Sequence, residues 1–173
     1  MTTPPTGQIR APLAETAWNE PAALVTAMLN PALIAALLST AADAYTQRQA
    51  SGMPWALSFI AAPMALHQGT RIALPSSTRT HLTTWISRYP VLRVGFPHRA
   101  KVMVAPVRSG LRFALRHNVL ELHHDCIRPV SKPRTRPAQD TEMDDILRCA
   151  RLIGAWMAEN EAAAIFAGLG VEP

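Results

Sequence analysis

His117, His123, His124 and Cys126 stand close together in this chain, with Cys149 further on, and imidazole with thiolate is the donor set that holds zinc. A metal centre is nevertheless not expected. His123 and His124 are neighbours, and on a strand neighbouring side chains point to opposite faces, so only a turn would let them converge. Glu142, Asp144 and Asp145 offer the carboxylates that a metal-dependent nuclease needs. They precede an apolar run with helical period, where negative charge favours the macrodipole, and read as a helix start. His67 and His81 fall inside helical segments and read as packing residues.

The motifs of common enzyme chemistry do not occur. The only lysines are Lys101 and Lys132, and neither follows a G-x-x-x-x-G pattern, so the chain does not run a P-loop ATP engine. It lacks G-x-S-x-G, H-E-x-x-H, C-x-x-C and a strand followed by G-x-G-x-x-G. The expectation is therefore no catalytic residue, no metal and no cofactor.

Charge is the stronger signal. The sequence has 17 Lys and Arg against 12 Asp and Glu, a net +5, but the imbalance is concentrated. Between Arg71 and Arg136 the acids are Glu121 and Asp125, while the rest of the chain is net negative. Nearly all the cations are arginine, whose planar fork suits phosphate and carboxylate. Arg108, Arg112 and Arg116 recur every fourth residue and make one helical stripe, with Lys101 on the same side. Arg99, Lys101, Arg108, Arg112, Arg116, Arg128, Lys132, Arg134 and Arg136 are the candidate nucleic-acid contacts. Duplex DNA is the expected polyanion, an acidic protein surface the competing partner, and a merely solvated face the bland alternative.

The elements that position these residues follow from apolar period and punctuation. Trp18, Leu24, Val25, Met28 and Leu29 read as one helix, which Asn30-Pro31 ends while capping the next, Pro31 to about Gln49. A third helix is expected over Trp55 to His67, kinked at Pro63, then a short extended segment over Thr70 to Pro75. Helices follow over Arg79 to Arg88, Pro97 to Val104 and Val107 to His117, the prolines dividing them. Asn118 tolerates a left-handed stop. The pattern then turns to period two, and Val119–His123 with Cys126–Val130 reads as a hairpin. Lys132 to Gln139 is a basic loop; helices over Asp140 to Glu159 and Ala162 to Leu169 close the chain.

The fold class is thus mainly α with a small β-hairpin. Residues 1–16 read as a disordered leader and 17–173 as a single helical domain. At 173 residues such a chain buries ~68 to 70% of its unfolded surface without disulfide or metal support. A helix with a basic stripe, followed by a hairpin and a basic loop, is the order of a winged helix, here about residues 55–130. Two distant cysteines fit a reducing, cytoplasmic setting. The longest apolar run, near Pro54 to Leu66, is shorter than the ~20 residues of a membrane span.

A wider pattern joins Trp18-Asn19-Glu20, Leu29-Asn30-Pro31-Ala32, Gly52-Met53-Pro54, Leu66-His67, Thr70-Arg71, Leu74-Pro75, Thr78-Arg79-Thr80 and Trp85. It continues through Gly95-Phe96, Arg99, Leu111, Phe113-Ala114-Leu115, Gly154, Trp156 and Gly168-Leu169-Gly170-Val171. From about Ala17 onward the chain resembles the middle component of bacterial three-component ABC systems. It departs from that pattern at Gln68-Gly69, where a basic residue is usual, and at Asn118, where glycine is usual. The resemblance implies a small non-enzymatic subunit beside an SMC/Rad50-like ABC ATPase and an effector, in conflict systems that include Lamassu-like anti-phage defence. It carries no catalytic residues. Trp156 and Phe166, on the terminal helices, are the candidate partner contacts, with ordinary core packing as the alternative reading. A winged-helix nucleic-acid-binding module or regulator is the second reading of the whole chain.

Overall fold

A computed structural model describes residues 29–132 and 141–172. The expected leader, the helix from Trp18, and most of the basic loop, including Arg134 and Arg136, lie outside the described residues. What is described is mainly helical with a small antiparallel sheet.

Helix α1, Pro31–Thr46, starts where Asn30 and Pro31 place it: the Asn30 side chain accepts from Ala32 N at 2.8 Å, and Pro31 gives up no hydrogen bond at N1. It is the central element, buried over most of its circumference. Its buried Thr40 hydroxyl is satisfied by donating to Ala36 O at 2.8 Å. The long helix α5, Pro90–Arg116, and helix α6, Glu142–Met157, pack against it. Two glycines set these approaches. A Cβ on Gly154 of α6 would lie 2.7 Å from the Ala41 carbonyl carbon, and one on Gly110 of α5 would lie 2.7 Å from Ile34 Cβ. Only glycine lets backbone come this close.

The middle of the chain departs from the expected division. After β1, Met53–Pro54, and a 3-10 turn, Trp55–Leu57, come α2, Ser58–Leu66, and α3, Gln68–Ala73. Helix α3 replaces the expected extended segment because His67 starts it: Nδ1 accepts from Thr70 N at 3.1 Å. Helix α4 covers Leu82–Arg88 rather than starting at Arg79, since the Thr80 carbonyl accepts from Trp156 Nε1 at 2.7 Å instead of entering a helical ladder.

Pro97 and Pro106 do not divide α5, which runs unbroken for 27 residues. Each internal proline removes one helical hydrogen bond and costs about 3 kcal/mol or more in isolation. The buried stripe Phe96, Ala100, Val107, Gly110 and Ala114 spans both prolines, and its packing outweighs that local penalty. The helix ends as expected at Asn118, φ 52°, with Val119 N donating back to Ala114 O at 2.8 Å.

The hairpin consists of β2, Leu120–His123, and β3, Cys126–Pro129. Sequence period missed its third strand. β1 is too short to alternate, yet it pairs antiparallel with β3, Met53 opposite Ile127 and Pro54 opposite Cys126, giving the order β1-β3-β2. Gly52, φ 87°, turns the chain into β1.

Helix α6 opens with the acidic turn read from the sequence. Thr141 and Asp144 form a capping box, Asp144 N donating to Thr141 Oγ1 at 3.2 Å and Thr141 N to Asp144 Oδ2 at 3.2 Å. Glu142 and Asp145 of the same turn bind Arg71, whose side chain is only 3% exposed. Helix α7, Ala162–Leu169, stops at Gly170 in the left-handed conformation.

Candidate nucleic-acid interface

Helix α5 has two opposite faces because its apolar positions recur at helical spacing. Phe96, Ala100, Val107, Gly110 and Ala114 face the core, and Lys101, Arg108, Arg112 and Arg116 stand exposed on the outward side. None of these four makes an ion pair among the described residues. No Asp or Glu occurs between Asp43 and Glu121, so α5 itself carries no acid to neutralise the stripe. Arg116, in the last helical turn, also lies where a cation favours the macrodipole.

At its C-terminal end the stripe borders a shallow depression of about 350 Å³. Ser109, Arg112, Phe113, Arg116 and His117 line it from α5, and Pro31, the first residue of α1, closes it. The Phe113 and His117 rings lie 4.2 Å apart between centroids, which fixes the imidazole against the helix end. The chemistry assembled here is hydrogen-bond donation and positive charge, the requirements for contacting a phosphate backbone.

Other expected contacts are placed differently. Arg99 folds back along its own helix: Nη2 donates to Leu92 O at 3.0 Å, and the guanidinium stands 5.6 Å from the centre of the Phe96 ring. Burial lowers its pKa. Arg128 donates to Ala50 O and packs over Gly52, tying β3 to the turn before β1. Both side chains thus serve the protein's own backbone, and of the hairpin cations described only Lys132 is exposed. Trp156 and Phe166, 1% and 6% exposed, sit in the core. The Trp156 indole packs edge-on against Trp85 at 5.5 Å and donates to Thr80 O at 2.7 Å.

The histidines and cysteines do not converge. His123 Nε2 lies 3.1 Å from Glu121 Oε1 on β2, His124 occupies the turn with φ 54°, and Cys126 is half-buried on β3. Cys149 lies in the core, where burial and then the Asp145 charge push its thiol pKa up. Among the described residues, no three His, Cys, Asp or Glu side chains are grouped as a metal site would group them. No described helix is long and apolar enough to cross a membrane.

Sequence reasoning gave Arg71 only as the start of the basic segment, and its structural role was missed. Nε donates to Asp145 Oδ2 at 2.9 Å, Nη2 to Glu142 Oε1 at 2.8 Å, and Nη1 to the carbonyls of Ala65 and Leu66 at 3.1 and 2.9 Å. The Thr70-Arg71 pair within the wider family pattern was the available signal. His67 lies beside this cluster, and burial, then the charges of Arg99 and Arg71, lower its pKa.

No curated protein and no solved structure gives a significant match to the chain. A family model does match: that of the ABC-three component (ABC-3C) system Middle Component 3, over residues 18–173. That span covers nearly the whole sequence and agrees with the pattern running from Trp18 to Val171. The chain belongs to the Middle Component 3 family of ABC-three component systems.

Proposed function

We propose that this chain is a non-enzymatic adaptor of a bacterial anti-phage defence system, joining an SMC/Rad50-like ABC ATPase to an effector in the cytoplasm and contacting duplex DNA through the outward stripe of α5. Family membership supports association with the other components of such a system. The observation that carries the DNA contact is the alignment of Lys101, Arg108, Arg112 and Arg116 on one exposed face free of acids. The order β1-β3-β2, with α5 directly before the β2–β3 hairpin, supports a winged-helix-like reading in which α5 stands where a recognition helix would. A stripe of cations suits phosphate contact, so the binding proposed is sequence-independent.

Co-expression with the system's ATPase and size-exclusion chromatography test the adaptor reading. A stoichiometric complex at micromolar concentration is expected. Separate elution, together with tight binding of one specific DNA sequence by the chain alone, would replace it with the regulator reading that the strand order also favours.

A further inference from the structure

The outward face of α5 is divided along its length. The C-terminal half is basic, but the N-terminal half presents Val91, Val94 and Val102, which are 83%, 81% and 63% exposed. Single exposed aliphatic residues are ordinary. These three share one helix face at i, i+3 and i+11, over about 16 Å at 1.5 Å per residue, with the exposed His98 between Val94 and Val102. The core of the described residues does not use them, since Phe96 and Ala100 on the other side of the helix make its core contacts. Nor does helix formation favour them, because a β-branched side chain is a poorer helix former than the Lys, Glu or Gln usual on a solvated face.

Charge decides what would cover them. Lys101, one residue before Val102, is exposed and has no ion-pair partner among the described residues, and Arg88 at the end of α4 is likewise exposed. A second copy of this face would set cation against cation, since no acid lies between Asp43 and Glu121. Duplex DNA would engage Lys101 and leave the valines uncovered. The geometry points to a docking surface for a helix of another component of the same system, one with an aliphatic ridge flanked by carboxylates. Such a helix laid along α5 would bury the valines and pair with Lys101 and Arg88. This inference rests on the adaptor reading and adds the place and chemistry of contact. It also divides α5, protein on the valines and DNA on the arginines, with Lys101 at the boundary as the one cation of the stripe within reach of both.

The test uses the full chain co-expressed with the ATPase and effector components of its system. Val91→Glu with Val94→Glu places carboxylates against the expected carboxylates, while glutamate is a good helix former and suits the first turn at position 91. Association is expected to fall at least tenfold. Val91→Ala with Val94→Ala, which adds no charge, is expected to weaken association about fivefold and to leave the salt dependence of DNA binding unchanged; it decides the matter if the Glu pair fails to fold. Wild-type association by both pairs overturns the docking surface and leaves the adaptor reading standing. Wild-type protein that elutes apart from every component overturns both. A wild-type homodimer dissociated by the Glu pair assigns the face to a second copy and overturns the heterologous partner.

Discussion

Arg71 Nε donates to Asp145 Oδ2 at 2.9 Å, joining a short helix in the middle of the chain to the first turn of α6, 74 residues later. The same guanidinium caps two carbonyls at the end of α2, so one side chain closes two helix termini and an ion pair. Replacing it removes donors from Ala65 O and Leu66 O and releases two carboxylates that lie partly in solvent. Arg71→Ala is expected to destabilise the fold by about 3 kcal/mol, measured by urea unfolding. Arg71→Lys should recover only part of this, because an ammonium cannot reproduce the fork. An Ala variant as stable as wild type would refute the structural role.

The pH dependence of stability has two parts. Burial alone would raise the Asp145 pKa, but hydrogen bonds and positive charge from Arg148 and Arg71 hold it below the ordinary value. A depressed carboxylate contributes stability that is complete above its unfolded pKa, about 3.9, and is lost as pH falls through the folded value. His67 has a lowered pKa as well. Its unfolded form takes up a proton first, so stability should begin to fall as pH drops below about 6.5. His67→Asn keeps an N-cap acceptor without a titrating ring and should flatten the stability curve on the acid side of neutrality, measured by thermal melts at successive pH values.

The glycine contacts with α1 predict different outcomes. At Gly154 the obstruction is the Ala41 backbone, which cannot turn away, and Gly154→Ala should cost about 3 kcal/mol. At Gly110 the obstruction is the Ile34 side chain. Gly110→Ala should therefore be rescued in part by Ile34→Ala, with a double-mutant cycle giving a coupling of about 1 kcal/mol or more. Strict additivity would show that the two residues do not meet.

For the basic stripe, log affinity for duplex DNA should fall with log salt at about −0.9 per phosphate contact. Arg108→Glu, Arg112→Glu and Arg116→Glu together should reduce that slope by roughly two to three units if all three touch phosphate. Fluorescence anisotropy across a salt series measures it. An unchanged slope combined with lost ATPase association would move the stripe to a protein interface.

Helix α1 was legible to the residue at its start because its signal is local: Asn30 and Pro31 act on the next turn alone. Asn118 and the acidic start of α6 were legible for the same reason. The unbroken α5 was not, since Pro97 and Pro106 are strong local breakers and the packing that overrides them is spread over distant helices. β1 escaped because two residues carry no period. At the candidate site, helical spacing was enough to align Arg108, Arg112 and Arg116. It gave no sign that Arg99 and Arg128 turn to backbone carbonyls, because those carbonyls are brought within reach only by the fold.

Gly110 and Gly154 have a mechanical consequence as well. They seat α5 and α6 directly on opposite stretches of α1, with Ile34 and Ala41 filling the space that side chains would otherwise cushion. Close-packed interiors compress little and pass strain onward. A push on the outward face of α5 therefore reaches α6 through a stiff strut rather than a soft layer. If the chain joins moving parts as proposed, α1 would behave as an axle that keeps the two flanking helices in step.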